Sequence, residues 1–374
     1  MKKILTSFLI VSTLSLLSGC SNAASSTSAE ASIEITTTAS NNETETSSDN
    51  IETTTEEQTT TAEPTTTPEP TTTPAPTTTA PPETTSKQTS EEPTSLPAIT
   101  TTGPIGADIF VDHGKELNVY GDIDPNDERV KKLQSTLQGY DKRISLAVWR
   151  KDGTKAMSYN TQQTYFSACT IKMGYMLNVC KLIDQGKADE NTLMTYEEKY
   201  YHRGSGTIRK NPYGKQYSLK TLINLALNIS DNVAYKMLTA YFGHEEYNAY
   251  MNQLGCSSIK LSGMWASKAN VRDYIKVWNE VYDYVNSDGK MSSFLFSSCT
   301  NTPFNYGTET LKAGIDYSHK SGDNFGSSAV YNDAGIVWHD NTYIYAVFTN
   351  SEGKSNDIKT VDSVMEQVYD IMTE

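Results

Sequence analysis

From about residue 124 onward, apolar and polar positions follow two different spacings. Ile144-Ser145-Leu146-Ala147-Val148-Trp149 and Lys155 to Tyr159 have the character of strands. They flank Asp152-Gly153, a pair that favours a hairpin turn. Helical spacing precedes and follows them: Asn126 to Leu137, Thr170 to Ile183 with its stop at Gly186, Ser218 to Leu227, Asn232 to Tyr241, Glu245 to Leu254, and Ala269 to Val285. Strands return at Ile315 to Lys320, Ala329 to Trp338 and Tyr343 to Thr349, and Val361 to Met372 closes the chain as an amphipathic helix. Strands at both ends with helices between them predict an α+β fold. The terminal strands form one antiparallel sheet flanked by the terminal helices, with an all-helical subdomain alongside.

Nothing of this kind appears before residue 103. Lys2 and Lys3 precede the apolar run Ile4 to Leu17, a pattern expected of a secretory leader over residues 1–20. The run is too short and too interrupted by Ser and Thr to span a bilayer comfortably. Leu17-Ser18-Gly19-Cys20 resembles a bacterial lipobox, which implies that Cys20 is lipidated and holds the chain at the outer face of the cell membrane. Residues 21–102 are Thr, Ser, Pro and Glu with few large apolar side chains, so they bury too little surface to offset the entropy of ordering. Repeats such as Glu69-Pro70-Thr71-Thr72-Thr73-Pro74 favour extended geometry, and a stalk of this length would reach on the order of 200 Å if fully drawn out. Residues 103–374 are then the folded head, long enough for one sizeable core.

The net charge of −14 lies mostly in the tail. Residues 1–102 hold 13 acids and 3 bases, which leaves 32 acids against 28 bases, a net −4, in the head. A mildly acidic head argues against nucleic acid as a partner. Besides Cys20 there are Cys169, Cys180, Cys256 and Cys299. Cys169 and Cys180 fall about 16 Å apart on one helix, too far for a disulfide between them. No C-x-x-C or H-E-x-x-H spacing points to a metal, and no cofactor is expected.

Candidate chemistry lies in three short runs. Phe166-Ser167-Ala168-Cys169-Thr170-Ile171-Lys172 opens what is expected to be an amphipathic helix, with a Lys three residues after a Cys. On a helix this spacing puts Lys172 on the face of Cys169, one turn along. Starting a helix at a nucleophile supplies unpaired N–H groups and a favourable dipole for negative charge. Ser230-Asp231-Asn232 follows the apolar stretch Leu222 to Ile229, and Lys320-Ser321-Gly322 sits on a strand-like segment. In this order the three runs resemble the S-x-x-K, S-D-N and K-T-G elements of class A β-lactamases and penicillin-binding proteins. The resemblance extends over about residues 120–374. It includes His319 to Asn324, Asn332-Asp333-Ala334-Gly335-Ile336-Val337 and the loop Gly204-Ser205-Gly206.

The resemblance implies the β-lactamase/transpeptidase-like fold and acyl transfer. Lys172 would be the base, Ser230 a proton relay, Asn232 a hydrogen-bonding partner for the substrate amide, and Asp231 a structural residue. Lys320 would attract a substrate carboxylate from an edge strand, Ser321 would hydrogen-bond the same group, and Gly322 would leave room for the ligand. The expected ligands are β-lactams or D-alanyl peptides of peptidoglycan, handled by a monomer. Two departures stand out. Cys169 occupies the position of the nucleophilic serine, where a thiolate is favoured beside a Lys at a helix start. The stretch Cys256 to Asn270, where a class A enzyme carries its deacylating Glu, contains no acid. Glu116-Leu117-Asn118 imitates part of that motif but lies ahead of the first run, and Ser167 lies two residues too early to share the face of Lys172. Three functions follow: an acyl-enzyme on Cys169, a binding or sensor module without turnover, or a wall-binding protein that uses Tyr200, Tyr201 and Tyr213 to stack on sugars.

Overall fold

The computed structural model describes residues 98–99, 110, 116–140, 143–266, 268–303, 314–324, 329–350 and 356–374. The leader with Cys20, and the 21–102 segment apart from Ala98–Ile99, lie outside the described residues.

The central sheet is covered on both faces, and its inner strands carry unbroken buried apolar stretches, as in Leu146 to Trp149 and Tyr343 to Phe348. Its strands are β1 (Ala98–Ile99), β2 (Asn118–Gly121), β3 (Ile144–Arg150), β4 (Lys155–Tyr159), β7 (Asp316–Asn324), β8 (Val330–Trp338) and β9 (Tyr343–Asn350). They lie in the order β1-β2-β4-β3-β9-β8-β7. All neighbours are antiparallel except the short β1, which pairs with β2 in parallel. Asn118 of the Glu116-Leu117-Asn118 run pairs with Ser158 in this sheet and Leu117 is buried, so that run leads into the second strand of the sheet.

One face of the sheet carries Ile144, Leu146, Val148, Met157, Tyr345 and Val347. The two terminal helices cover it: α1 (Glu128–Gly139) through Val130, Leu133 and Leu137, and α8 (Asn356–Thr373) through Val361, Val364, Met365 and Val368. On the opposite face Ala147, Ala346 and Ala334 stand side by side in register. Their small side chains admit α6 (Val271–Val285), which lays down Tyr274, Ile275, Trp278 and Val281 at helical spacing.

The remaining helices form the second layer. They are α2 (Ile171–Asp184), α3 (Leu219–Asn228), α4 (Asn232–Phe242), α5 (Glu245–Gln253) and α7 (Ser292–Cys299). The small hairpin of β5 (Leu193–Thr195) and β6 (Gln216–Ser218) lies at its side. The model corrects the expected amphipathic character of α2. Nearly every residue from Ile171 to Ile183 is buried, Lys172 included, because other helices and the sheet surround it. A helix that is apolar all round is an interior helix.

Candidate active site

The chain approaches Cys169 along a path that is held on both sides. Tyr165 pairs with Ala269, and the Ser167 N–H donates to Ala266 O at 2.9 Å. Ser167 Oγ is buried and accepts from the Ala266 N–H at 3.1 Å, so this hydroxyl anchors the 256–270 loop. Ala168 then takes a left-handed conformation with φ of 45°, strained for a residue with a Cβ. A 3-10 turn, Ala168–Thr170, carries Cys169 and leads into α2. Thr170 Oγ1 donates to Ser167 O at 2.5 Å, which locks that turn.

The second run is a corner between α3 and α4. Ser230 has φ of 55°, also left-handed, and this reverses the chain so that both Ser230 and Asn232 point back at α2. Asp231 caps α4: its Oδ1 accepts from the Val233 and Ala234 N–H groups at 2.9 and 3.0 Å. Its Oδ2 accepts from the Thr207 and Ile208 N–H groups at 2.6 and 2.9 Å. The loop Gly204-Ser205-Gly206 wraps this corner closely. A Cβ on Gly206 would lie 2.2 Å from Asp231 Cγ, and one on Gly204 would lie 2.6 Å from Asn232 Nδ2.

Lys172 joins the two runs. Its buried Nζ donates to Ser230 O at 2.7 Å, to Ser230 Oγ at 3.2 Å and to Asn232 Oδ1 at 2.7 Å. All three ammonium hydrogens are thereby engaged. The Tyr235 and Trp265 rings stand 5.7 and 5.6 Å from the same nitrogen, within cation–π range. Cys169 Sγ lies 3.7 Å from Asn232 Oδ1 and within hydrogen-bond reach of Ser230 and Lys172.

The third run closes the site from the sheet edge. A Cβ on Gly322 would sit 2.6 Å from Cys169 N and 2.7 Å from Thr170 N, so only glycine allows β7 to lie against the first turn. Lys320 and Ser321 are buried beneath this contact. Lys320 Nζ donates to Ser321 O at 2.9 Å. Behind the strand, His319 Nδ1 lies 3.1 Å from Asp333 Oδ1, with Tyr345 OH donating to Asp333 Oδ2 at 3.2 Å.

The charges interact strongly. Burial alone would push the Cys169 thiol up, but the ammonium groups of Lys172 and Lys320 and the Ser230 hydroxyl outweigh it and draw the thiol below its ordinary value. Burial holds Lys172 below the usual lysine range, against the opposing field of Cys169. Burial also pushes Lys320 down to about 8.

The seven site residues expected from the sequence therefore meet in one place. Cys169 and Asn232 open onto a cleft of about 630 Å³. Lys172, Ser230, Lys320 and Ser321 lie under it, deeper than a directly ligand-contacting Lys320 and Ser321 would require. The remaining lining includes Phe166, His202, Arg203, Trp265, Asp323 and Asn324, none of which the sequence had singled out for a role. Position gave partial signals: Arg203 precedes the Gly204-Ser205-Gly206 loop, Asp323 follows Gly322, and Trp265 lies in the acid-free stretch. Tyr201 and Tyr213 are exposed, but Tyr213 is also packed at 5.0 Å from the Tyr196 ring.

Comparison with known proteins gives the family and the fold. The model of the β-lactamase enzyme family matches residues 128–372. Among solved structures, PBP-A is similar at a TM-score of 0.59 and 20% identity, covering 64% of this chain and 95% of its own. A variant of PBP-A in an acyl-enzyme complex with penicillin G is similar at a TM-score of 0.58 and 20% identity, with 64% and 95% covered. A β-lactamase from Sphaerobacter thermophilus has a TM-score of 0.57 at 18% identity, with 64% of this chain and 96% of that one covered. At such identities these structures speak for the fold. No curated protein matches the chain.

Proposed function

The chain belongs to the β-lactamase enzyme family, and on that premise we propose that its cleft is acylated on Cys169 by β-lactams or D-alanyl wall peptides. The observation that carries this reading is that the Lys172 amine reaches both the Ser230 hydroxyl and Asn232 Oδ1, the same oxygen that the Cys169 thiol reaches. In the proposed step, the thiol has given its proton to Lys172, and the thiolate held beside that ammonium attacks the amide carbonyl. Negative charge develops on the carbonyl oxygen near the Cys169 N–H at the helix start. The C–N bond then breaks, the proton passes from Lys172 through Ser230 to the departing nitrogen, and a thioester remains. Lys320 supplies positive charge for a ligand carboxylate, and Asn232 a side-chain amide for the ligand's own.

Release of the acyl group by water has less support. The space beside Lys172 is taken by the Tyr235 and Trp265 rings, and the 256–270 stretch brings no carboxylate. This favours a long-lived thioester, so the protein acts as a covalent binder or sensor more than as a fast hydrolase. We further propose that Cys20 and the segment that follows it, up to β1, anchor and extend this head from the outer face of the membrane, within reach of the wall.

The test is mass spectrometry of the purified protein after incubation with a penicillin, beside Cys169→Ser. The reading expects one intact ligand on the peptide carrying Cys169, and acylation retained or raised in the serine variant. A folded serine variant that stays inert would show that more than the nucleophile has changed, and would leave the non-covalent module as the better account.

A further inference from the structure

Two charged side chains from separate elements line the cleft without an ion-pair partner among the described residues: Asp323 on β7 and Arg203 on the loop beside Asn232. Other charges near the surface do pair, as Lys181 does with Glu280 and Lys290 with Glu190. Asp323 is the less comfortable of the two. It is half-buried, directly after the glycine that touches Cys169, and its carboxylate accepts a hydrogen bond from its own backbone N–H.

Lys320 and Lys172 lie below it, but their hydrogens point elsewhere. Lys320 Nζ donates to Ser321 O, and Lys172 Nζ to Ser230 and Asn232. Burial accordingly raises the Asp323 pKa, with the two lysines only partly opposing the shift. A half-buried carboxylate short of donors gains most from a cation brought by a ligand. Arg203 offers the complementary partner for a carboxylate in the same cavity.

We propose that Asp323 is an ammonium subsite, so that the cleft takes zwitterionic acyl donors, with a protonated amine on Asp323 and their one carboxylate drawn by Arg203 at the cleft and by the positive charge of Lys320 beneath it. This deepens the acyl-transfer reading and rests on it for the word donor. The binding preference itself can be tested apart from any covalent step.

Benzylpenicillin and ampicillin share one skeleton and one carboxylate, and differ by a single protonated amine on the side chain. Their affinities for the full chain carrying Cys169→Ala, measured by calorimetry, isolate recognition from acylation. Ampicillin is expected to bind about fivefold or more tightly. In a protein that also carries Asp323→Asn the ratio should fall to about one, and Asp323→Glu should recover part of it. Equal affinity in the Asp323 protein, undetectable binding of both ligands, or a ratio that persists in Asp323→Asn would overturn the proposal. Absence of a thioester on unmodified Cys169 with a clear ampicillin preference would instead count against acyl transfer and leave the subsite standing.

Discussion

Asp231 and Asp323 are both carboxylates beside the same cleft, and they differ in how fully the fold uses them. Asp231 is fully buried, and its two oxygens accept four backbone N–H groups from two segments. Asp323 is half-buried, and the hydrogen bond it accepts comes from its own residue. Hydrogen bonds to a charged group contribute more than neutral ones, and leaving their partners unpaired is expensive. Asp231 therefore holds the corner that aims Ser230 and Asn232, whereas Asp323 is left with capacity for something outside the chain.

The comparison breaks most visibly at Asp231. Replacing it with Ala strands two N–H groups of the 207–208 turn and uncaps α4. Urea unfolding should show a loss of roughly 3 kcal/mol or more. A loss below about 1 kcal/mol would mean that water serves those N–H groups equally well. At Gly322, next to Asp323, an added methyl would press on Cys169 N and Thr170 N at 2.6 and 2.7 Å. Gly322→Ala should slow acylation by about a hundredfold through misplacement of the thiol, and, because the clash is with backbone, should also cost roughly 1–3 kcal/mol of stability. Unchanged acylation rates would show that β7 can retreat freely.

Acidity sharpens the contrast further. Lys320 is held at about 8 by burial, so acylation by a carboxylate-bearing penicillin should fall by about fivefold as pH rises past that value. Unfolding is not the cause in this window. A lysine whose folded pKa lies below its unfolded value of about 10.4 binds fewer protons in the fold, so its contribution to stability grows as pH climbs between the two. A rate profile flat from about pH 7 to pH 10 would remove Lys320 from ligand binding. The smallest effect belongs to Asp323 itself: Asp323→Asn should shift stability by no more than about 0.5 kcal/mol. A large loss would place it with Asp231 as a structural group.

Much of this was legible in the amino-acid order, because the strands and most helices announce themselves by spacing. Tyr343 to Phe348 is a continuous apolar run, Ile336 to Trp338 is a shorter one, and α6 repeats its large residues at helical intervals. The site itself was legible because S-x-x-K spacing, a capping Asp and a tight Gly are each demanded by geometry. What escaped had no local signature. The α7 segment Ser292–Cys299 is Ser-rich and lacks a side-chain cap, so packing alone makes it helical. The short hairpin of β5 and β6 has three residues per strand, below what alternation can mark. Burial of α2 on all sides depends on neighbours distant in sequence, which is why the helix was expected to be amphipathic. Trp265, Arg203 and Asp323 reach the cleft from loops and a strand end, where residue type alone gives no direction.

The central claim is that Cys169 is a competent nucleophile served by Lys172. Peptide-level mass spectrometry of the full chain after exposure to benzylpenicillin tests this most directly, with Lys172→Ala in parallel. The account predicts one intact ligand, labile to hydroxylamine, on the Cys169 peptide, and its loss or strong slowing in the Lys172 variant. A folded protein that carries no adduct, or carries it equally on Cys180, Cys256 or Cys299, would contradict it.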